Sequence, residues 1–270
     1  MDIIISKQIV DDLRTWFTGY VKAFNYSDPE AQQNINIKRE HTERVVEEIL
    51  EIGKKTGLND SELNLAEIIA LLHDIGRFEQ YDRYRTFSDR KSEDHAELGI
   101  KVLNKHHVPD MLDENFKRLI LCSIRYHNRP FLPSEETKEC RFYSKLIRDA
   151  DKLDIWRVVT EYYYRRNGKR NPALELELPE TPGISDEVYT ALMNKQIVDI
   201  RYVKNINDIK LLQAGWIYDI NFYPTFECIR KRQIMESLRN VLPKTKEVAE
   251  VFNTIGSFIE DRERNPYSGN

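Results

Sequence analysis

Eight consecutive residues, Leu65-Ala66-Glu67-Ile68-Ile69-Ala70-Leu71-Leu72, constrain this chain most. Wound as a helix, the run from Ile68 to Leu72 puts apolar side chains on every side, and such a helix must be enclosed by others. Asp60 or Ser61 supplies a good N-cap. His73-Asp74-Ile75-Gly76 follows directly, with Gly76 placed to cap the C-terminus. The neighbouring segments share a helical period. Val45, Val46, Ile49, Leu50 and Ile52 recur at three- and four-residue spacing over 40–54, and further helices are expected over 94–106, 113–127 and 136–157, the last continuing towards Tyr164. Ten glycines in 270 residues are few, while Leu, Ile, Glu, Lys and Arg are abundant. The expected fold class is all-α.

The polar, aromatic and basic stretch 77–93 has no period and reads as a loop. Two Gly and three Pro in 167–184 mark a boundary or a long surface loop. The expected organisation is a helical domain over 1–170 that includes an N-terminal helix, a linker at 171–184 and a C-terminal helical region at 185–270. In that last region Ser185 is placed as an N-cap, with helices near 185–198, 207–219, 222–240 and 245–262. The stripe Val248, Val251, Phe252, Ile255, Phe258 and Ile259 is a candidate for a homodimer interface or a pocket wall, and the tail 262–270 is expected to fray.

Forty-one basic and 45 acidic residues, well mixed, leave a net charge of -4 and no general reason to bind nucleic acid or membrane. The exception is EYYYRRNGKR at 161–170, whose ordinary reading is a solvated helix end. The start, MDIIISKQIVDDL, is too short in apolar residues for a secretory segment. No stretch approaches the roughly 20 apolar residues that span a bilayer. Cys122, Cys140 and Cys228 are odd in number, widely spaced and without a CxxC pair, which favours a reducing compartment. A soluble cytoplasmic protein is expected.

Chemistry is concentrated in the histidines. His41, His95 and His127 each share a helical stripe with apolar residues, and His73 and Asp74 end the most apolar helix. Asp151, four residues after Ile147, also faces inward. A buried carboxylate without a partner is costly, and a shared divalent ion would satisfy all these groups. Each has an ordinary reading as well: a lone inward histidine is more often a satisfied core residue than a ligand, and Asp151 could cap a helix or pair with Arg148. The ordered set carries more weight than any one member.

An early helical histidine (His41), the HDIG run at 73–76 and the DADKLD run at 149–154 together resemble the HD superfamily of metal-dependent phosphohydrolases, over roughly residues 36–157. The resemblance implies an HD helical core with a C-terminal helical extension, and it implies that His41, His73, Asp74 and Asp151 are metal ligands. Some branches add two histidines that hold a second metal. His95 in DHAELG and His127 in RYHNRP fall in that order, which implies a second ion with Asp74 bridging; the alternative is one ion, with these two histidines outside its shell. The cofactor is then one or two divalent transition-metal ions, of iron, manganese, zinc, cobalt or nickel. No GYP run is present, so a cyclic dinucleotide is not supported.

The implied reaction is hydrolysis of a phosphomonoester or phosphodiester, of a nucleotide in particular, by a metal-bound hydroxide. Catalytic roles fall to Asp74 and Arg77, and Arg77, Arg44, Arg129 and Lys152 are candidate phosphate-binding cations, with Arg125 beside them. Tyr81, Tyr84, Arg85 and Phe87 could stack on a base or pack their loop onto the body, and His106 and His107 read as surface or cap residues. A di-iron oxygenase acting on a polyol or phosphonate uses the same six ligands, and a non-catalytic nucleotide sensor could retain them.

Overall fold

The computed structural model describes residues 5–165, 170–172 and 174–264, the side chains of 109 and 111 excepted. Residues 166–169 of EYYYRRNGKR and residues 265–270 of the tail lie outside the described residues. Helices and turns, and no strand, make up the described residues, so the protein is all-α. The chain divides into two compact units, Met1–Asp154 and Ile155–Asn270.

The first unit comprises α1 (Lys7–Lys22), α2 (Pro29–Lys55), α3 (Asp60–Leu72), α4 (Gly76–Tyr84), α5 (His95–Lys105), α6 (Glu114–Tyr126) and the first part of α7 (Lys138–Arg165). Helix α3 packs against α1, α2 and α6, and Leu65 to Leu72 are all buried. Its cap is Asn59, one residue earlier than expected, in a reciprocal capping box with Glu62. The single charge in the apolar run, Glu67, is neutralised by α1: Arg14 Nε lies 2.6 Å and Lys7 Nζ 3.1 Å from its carboxylate. Helix α2 begins well before residue 40, because Asp28 accepts from Glu30 N and Ala31 N and Pro29 occupies the first turn.

The loop expected over 77–93 is half helix. Gly76 starts α4 rather than capping α3, and Phe78, Gln80 and Tyr81 are buried. A Cβ on Gly76 would collide with His95 O and come within 2.5 Å of Gly99 N, so the glycine permits close contact of α4 with α5. Arg85, with φ 55°, ends α4, and the chain crosses to α5 through a 3₁₀ turn at Asp89–Lys91.

Cys122 of α6 and Cys140 of α7 are joined as a disulfide, with Cα atoms 6.2 Å apart, and Cys228 is a buried free thiol. Their spacing hid this pairing, because the intervening residues double back between the two helices.

The second unit contains the end of α7, then α8 (Asp186–Met193), α9 (Ile206–Gly215), α10 (Tyr223–Lys231), α11 (Ile234–Asn240) and α12 (Lys246–Arg264). The helix expected over 222–240 is broken at Gln233, which takes φ 51°. Ser185 occupies the N-cap position of α8, yet its hydroxyl donates to Asp208 Oδ2 instead of capping. The α12 stripe is used within the unit: Val248, Val251, Phe252 and Ile255 are buried, and Phe258 packs on Tyr218 and Phe226. Among the described residues no helix is long and apolar enough to cross a membrane.

Candidate metal centre

Six side chains from the first unit converge. His41 comes from α2, His73 and Asp74 from the turn between α3 and α4, His95 from the first turn of α5, His127 from the end of α6 and Asp151 from α7. All are buried except Asp151, which is partly exposed. Among these six side chains, three groups lie close enough to hold an ion: His41, His73 and Asp74; His73, His127 and Asp151; and Asp74, His95 and His127.

The imidazoles share one orientation. Nδ1 of His41 lies 2.7 Å from Asp154 Oδ2, and Nδ1 of His95 lies 2.7 Å from Asp89 Oδ2. Nδ1 of His73 and of His127 lie 2.7 Å from the main-chain oxygens of Ala70 and Ile124. Carbonyls and carboxylates only accept, so each Nδ1 carries the proton and donates it. In the neutral ring Nε2 is then a lone pair, and all four Nε2 atoms face the two carboxylates. His41 Nε2 lies 3.0 Å and His73 Nε2 3.7 Å from Asp151 Oδ1, and 3.7 and 3.9 Å from Asp74 Oδ2. The other oxygen, Asp74 Oδ1, lies 3.4 Å from His95 Nε2 and 3.7 Å from His127 Nε2. Asp74 thus turns one oxygen to each histidine pair.

A divalent ion fits this arrangement. Two ligands each about 2.1 Å from one ion stand roughly 3 to 4 Å apart, the range seen here. Nε2 of His41 and of His73 are buried without a hydrogen-bond partner, a costly state for a polar atom. Nε2 of His95 and of His127 face each other at 3.0 Å. Two opposed lone pairs at that distance repel unless a cation or proton lies with them.

Charge is balanced to keep the donors usable. Burial pushes the Asp74 carboxyl up, but Lys38 and His73 prevail and hold it well below the usual carboxylate range. Asp151 is likewise held well below the usual carboxylate range, against burial, by His41 and His73 beside it. Burial, with Arg77 nearby, brings His95 down to about 4, so its ring is neutral near pH 7. At His41 burial and Lys38 favour the neutral ring, yet contacts with Asp151 and Asp154 outweigh them and the net shift is upward.

The candidate phosphate cations all have protein partners. Arg77 Nη1 donates to Gln80 Oε1 at 2.8 Å, Phe87 O at 2.6 Å and Asp89 Oδ1 at 2.9 Å. Arg44 grips both oxygens of Asp154, at 2.5 and 3.0 Å. Arg125 and Arg129 pair with Glu97, and Arg129 also with Asp94. Lys152 donates to Arg148 O at 3.3 Å. Tyr81 and Phe87 are buried against each other and pack the segment onto the body. His106 packs on Trp16 and Tyr20, and exposed His107 pairs with Asp110.

The cation nearest the cluster is one that sequence reasoning missed: Lys38 Nζ, 2.7 Å from Asp74 Oδ2. Its signal was its place one turn before His41 on α2. Asp154 lay in plain view within DADKLD, whereas Asp89 was hidden in the stretch read as loop.

Residues 39–156 match the family model of the HD domain. Two relatives, ribonuclease Y of Lactobacillus gasseri and ribonuclease Y of Lactobacillus johnsonii, are each 30% identical over 145 residues, covering 52% of this chain and 21% of theirs. The chain therefore spans about a fifth of the length of these curated relatives. No solved structure gives a significant match. The segment that holds all six clustered side chains is thus similar to the HD domain.

Proposed function

We propose that this protein hydrolyses a phosphate ester of a nucleotide at a divalent-metal centre formed by His41, His73, Asp74, His95, His127 and Asp151. One observation carries the reading: four imidazoles have committed Nδ1 to outside acceptors and turn Nε2 towards two ionised carboxylates. A divalent ion bound there would supply an acidified water and a Lewis acid for a phosphoryl oxygen. The chain's own residues do the rest. Asp74 and Asp151 stay ionised, His95 stays neutral, and the apolar surroundings of α3 strengthen every charge interaction inside. Lys38 offers positive charge to the phosphoryl oxygens. An ammonium has three donors, and the bond to Asp74 occupies one of them. Arg77 and Arg44 instead orient the ligands through Asp89 and Asp154.

Among phosphate esters, the likeness to proteins named ribonuclease Y favours a phosphodiester in a ribonucleotide as the second reading. The test uses protein purified without chelator and then supplied separately with iron, manganese, cobalt, nickel and zinc. Substrates are p-nitrophenyl phosphate, its bis ester and a panel of mono- and oligonucleotides, with oxygen uptake followed in parallel. Metal-dependent release of phosphate or alcohol, abolished by His73→Ala, is the expected result. Oxygen consumption without hydrolysis would move the chemistry to a di-iron oxygenase. Bound metal with no turnover on any substrate would leave a sensor.

A further inference from the structure

The two histidine pairs are not equivalent. His41 and His73 share the oxygens Asp74 Oδ2 and Asp151 Oδ1, whereas the oxygen that both His95 and His127 approach within 4 Å is Asp74 Oδ1. One half thus offers four protein ligands and the other three. Each half also orients its imidazoles in two ways. His73 and His127 donate to main-chain oxygens three residues earlier, so the helix ends themselves fix them. His41 and His95 depend on a carboxylate from elsewhere in the fold: Asp154 on α7 for His41, and Asp89 on the 3₁₀ turn for His95.

Those two carboxylates are held differently. Asp154 is fully buried, and Arg44 binds both of its oxygens. Asp89 has its side chain 33% exposed, and its other oxygen is held by Arg77 Nη1 and by Gln80 Nε2, both from α4. Gln80 is itself buried and ties the same turn through Ser92 Oγ and Glu93 O. Arg77 reaches Asp74 as well, with Nε 3.5 Å from Oδ1. The Arg77–Gln80 pair therefore sets Asp89, and Asp89 sets His95.

We propose that Asp154 and Asp89 are positioning residues, one for each half of the centre, and that the half served by Asp89 holds its ion more weakly and exchanges it. This rests on the metal-centre reading above. A carboxylate accepting from the far nitrogen fixes the tautomer and makes the ligating nitrogen more basic, and losing it typically costs about 10–100-fold in metal affinity. Fewer ligands and a partly solvated carboxylate on a short turn both weaken the His95/His127 half.

The experiment is a Co²⁺ titration of chelator-stripped protein, followed by calorimetry and visible absorption, on wild type, Asp89→Asn and Asp154→Asn, with circular dichroism to check folding. Wild type is expected to bind two ions with separable constants. Asp89→Asn should weaken the second constant about tenfold or more and leave the first within about twofold. Asp154→Asn should weaken the first. If Asp154→Asn does not fold, Arg44→Gln tests the same half from its more exposed partner. Asp89→Asn constants both unchanged, or both shifted equally, would overturn the proposal while leaving the metal centre standing. A single ion in wild type would overturn the two-half arrangement alone, and no bound ion would overturn the metal-centre reading with it.

Discussion

Both units bury ionisable side chains, but only one completes their bonding from within. In the second unit Asp208 is fully buried and accepts from Ser185 N at 2.8 Å, Ser185 Oγ at 2.7 Å and Lys204 N at 2.9 Å. Glu175, also buried, accepts from Tyr162 Oη and Arg170 Nε, and Lys210 donates to Val241 O at 2.8 Å. In the first unit the Nε2 atoms of His41 and His73 have no hydrogen-bond partner, and those of His95 and His127 point at each other. Buried polar atoms in native proteins are nearly always satisfied. Where the protein satisfies them, they are structure. Where it gathers them and leaves them open, it has made room for something charged.

Removing an open group should affect chemistry first. His73→Ala is expected to reduce metal-dependent hydrolysis by about 10³-fold or more, several kcal/mol of transition-state stabilisation, with a matching loss in bound metal by elemental analysis. An unchanged rate would erase the contrast between the units. Removing a closed group should affect stability alone. Asp208→Ala strands three donors and is expected to cost about 3 kcal/mol in urea unfolding at unchanged metal content.

Glycines sharpen the same contrast. Gly76→Ala forces a methyl group onto the backbone of α5 beside His95, while Gly215→Ala meets the Cδ2 of Leu192 at 2.5 Å, the free end of a flexible side chain. The first is expected to cost about 3 kcal/mol and to disturb metal binding, the second about 1 kcal/mol with metal binding intact. Equal costs with no metal effect would deny that α4 and α5 set the site.

The last effect is a pH slope in the metal-free protein. His95 is held down to about 4, so between about 4 and its ordinary value of 6.5 the unfolded chain binds a proton that the folded chain refuses. Its contribution to stability is therefore present above 6.5 and lost as pH falls towards 4, by at most about 1.36 kcal/mol per pH unit. His41 is raised, and its contribution runs the other way: present below 6.5 and lost as pH rises through its folded value. Urea midpoints from pH 4 to 8 should show His95→Gln flattening the acid slope and leaving the alkaline side unchanged.

Much of this was legible in the residues. The all-apolar helix ending in His73-Asp74 had to be central, and it is. The ordered histidines and Asp151 had to face inward, and they do. What misled was the aperiodic stretch 77–93, whose buried Phe78, Gln80 and Tyr81 make one short helix face, too brief for its period to stand out among exposed charges. The partners of Arg77 were hidden for a related reason: Phe87 and Asp89 lie ten and twelve residues on, across a turn that sequence spacing does not reveal.

The sequence by itself determined the helical class and the inward set of six, because helical period and the cost of burying charge are local properties of the chain. Tertiary structure alone decided that Nδ1 of each histidine would be occupied, that Asp74 would turn one oxygen to each pair, that Lys38 would stand beside it, and that Cys122 would meet Cys140. Those outcomes depend on directions of side chains from helices far apart in the chain, and direction is fixed only when the helices pack.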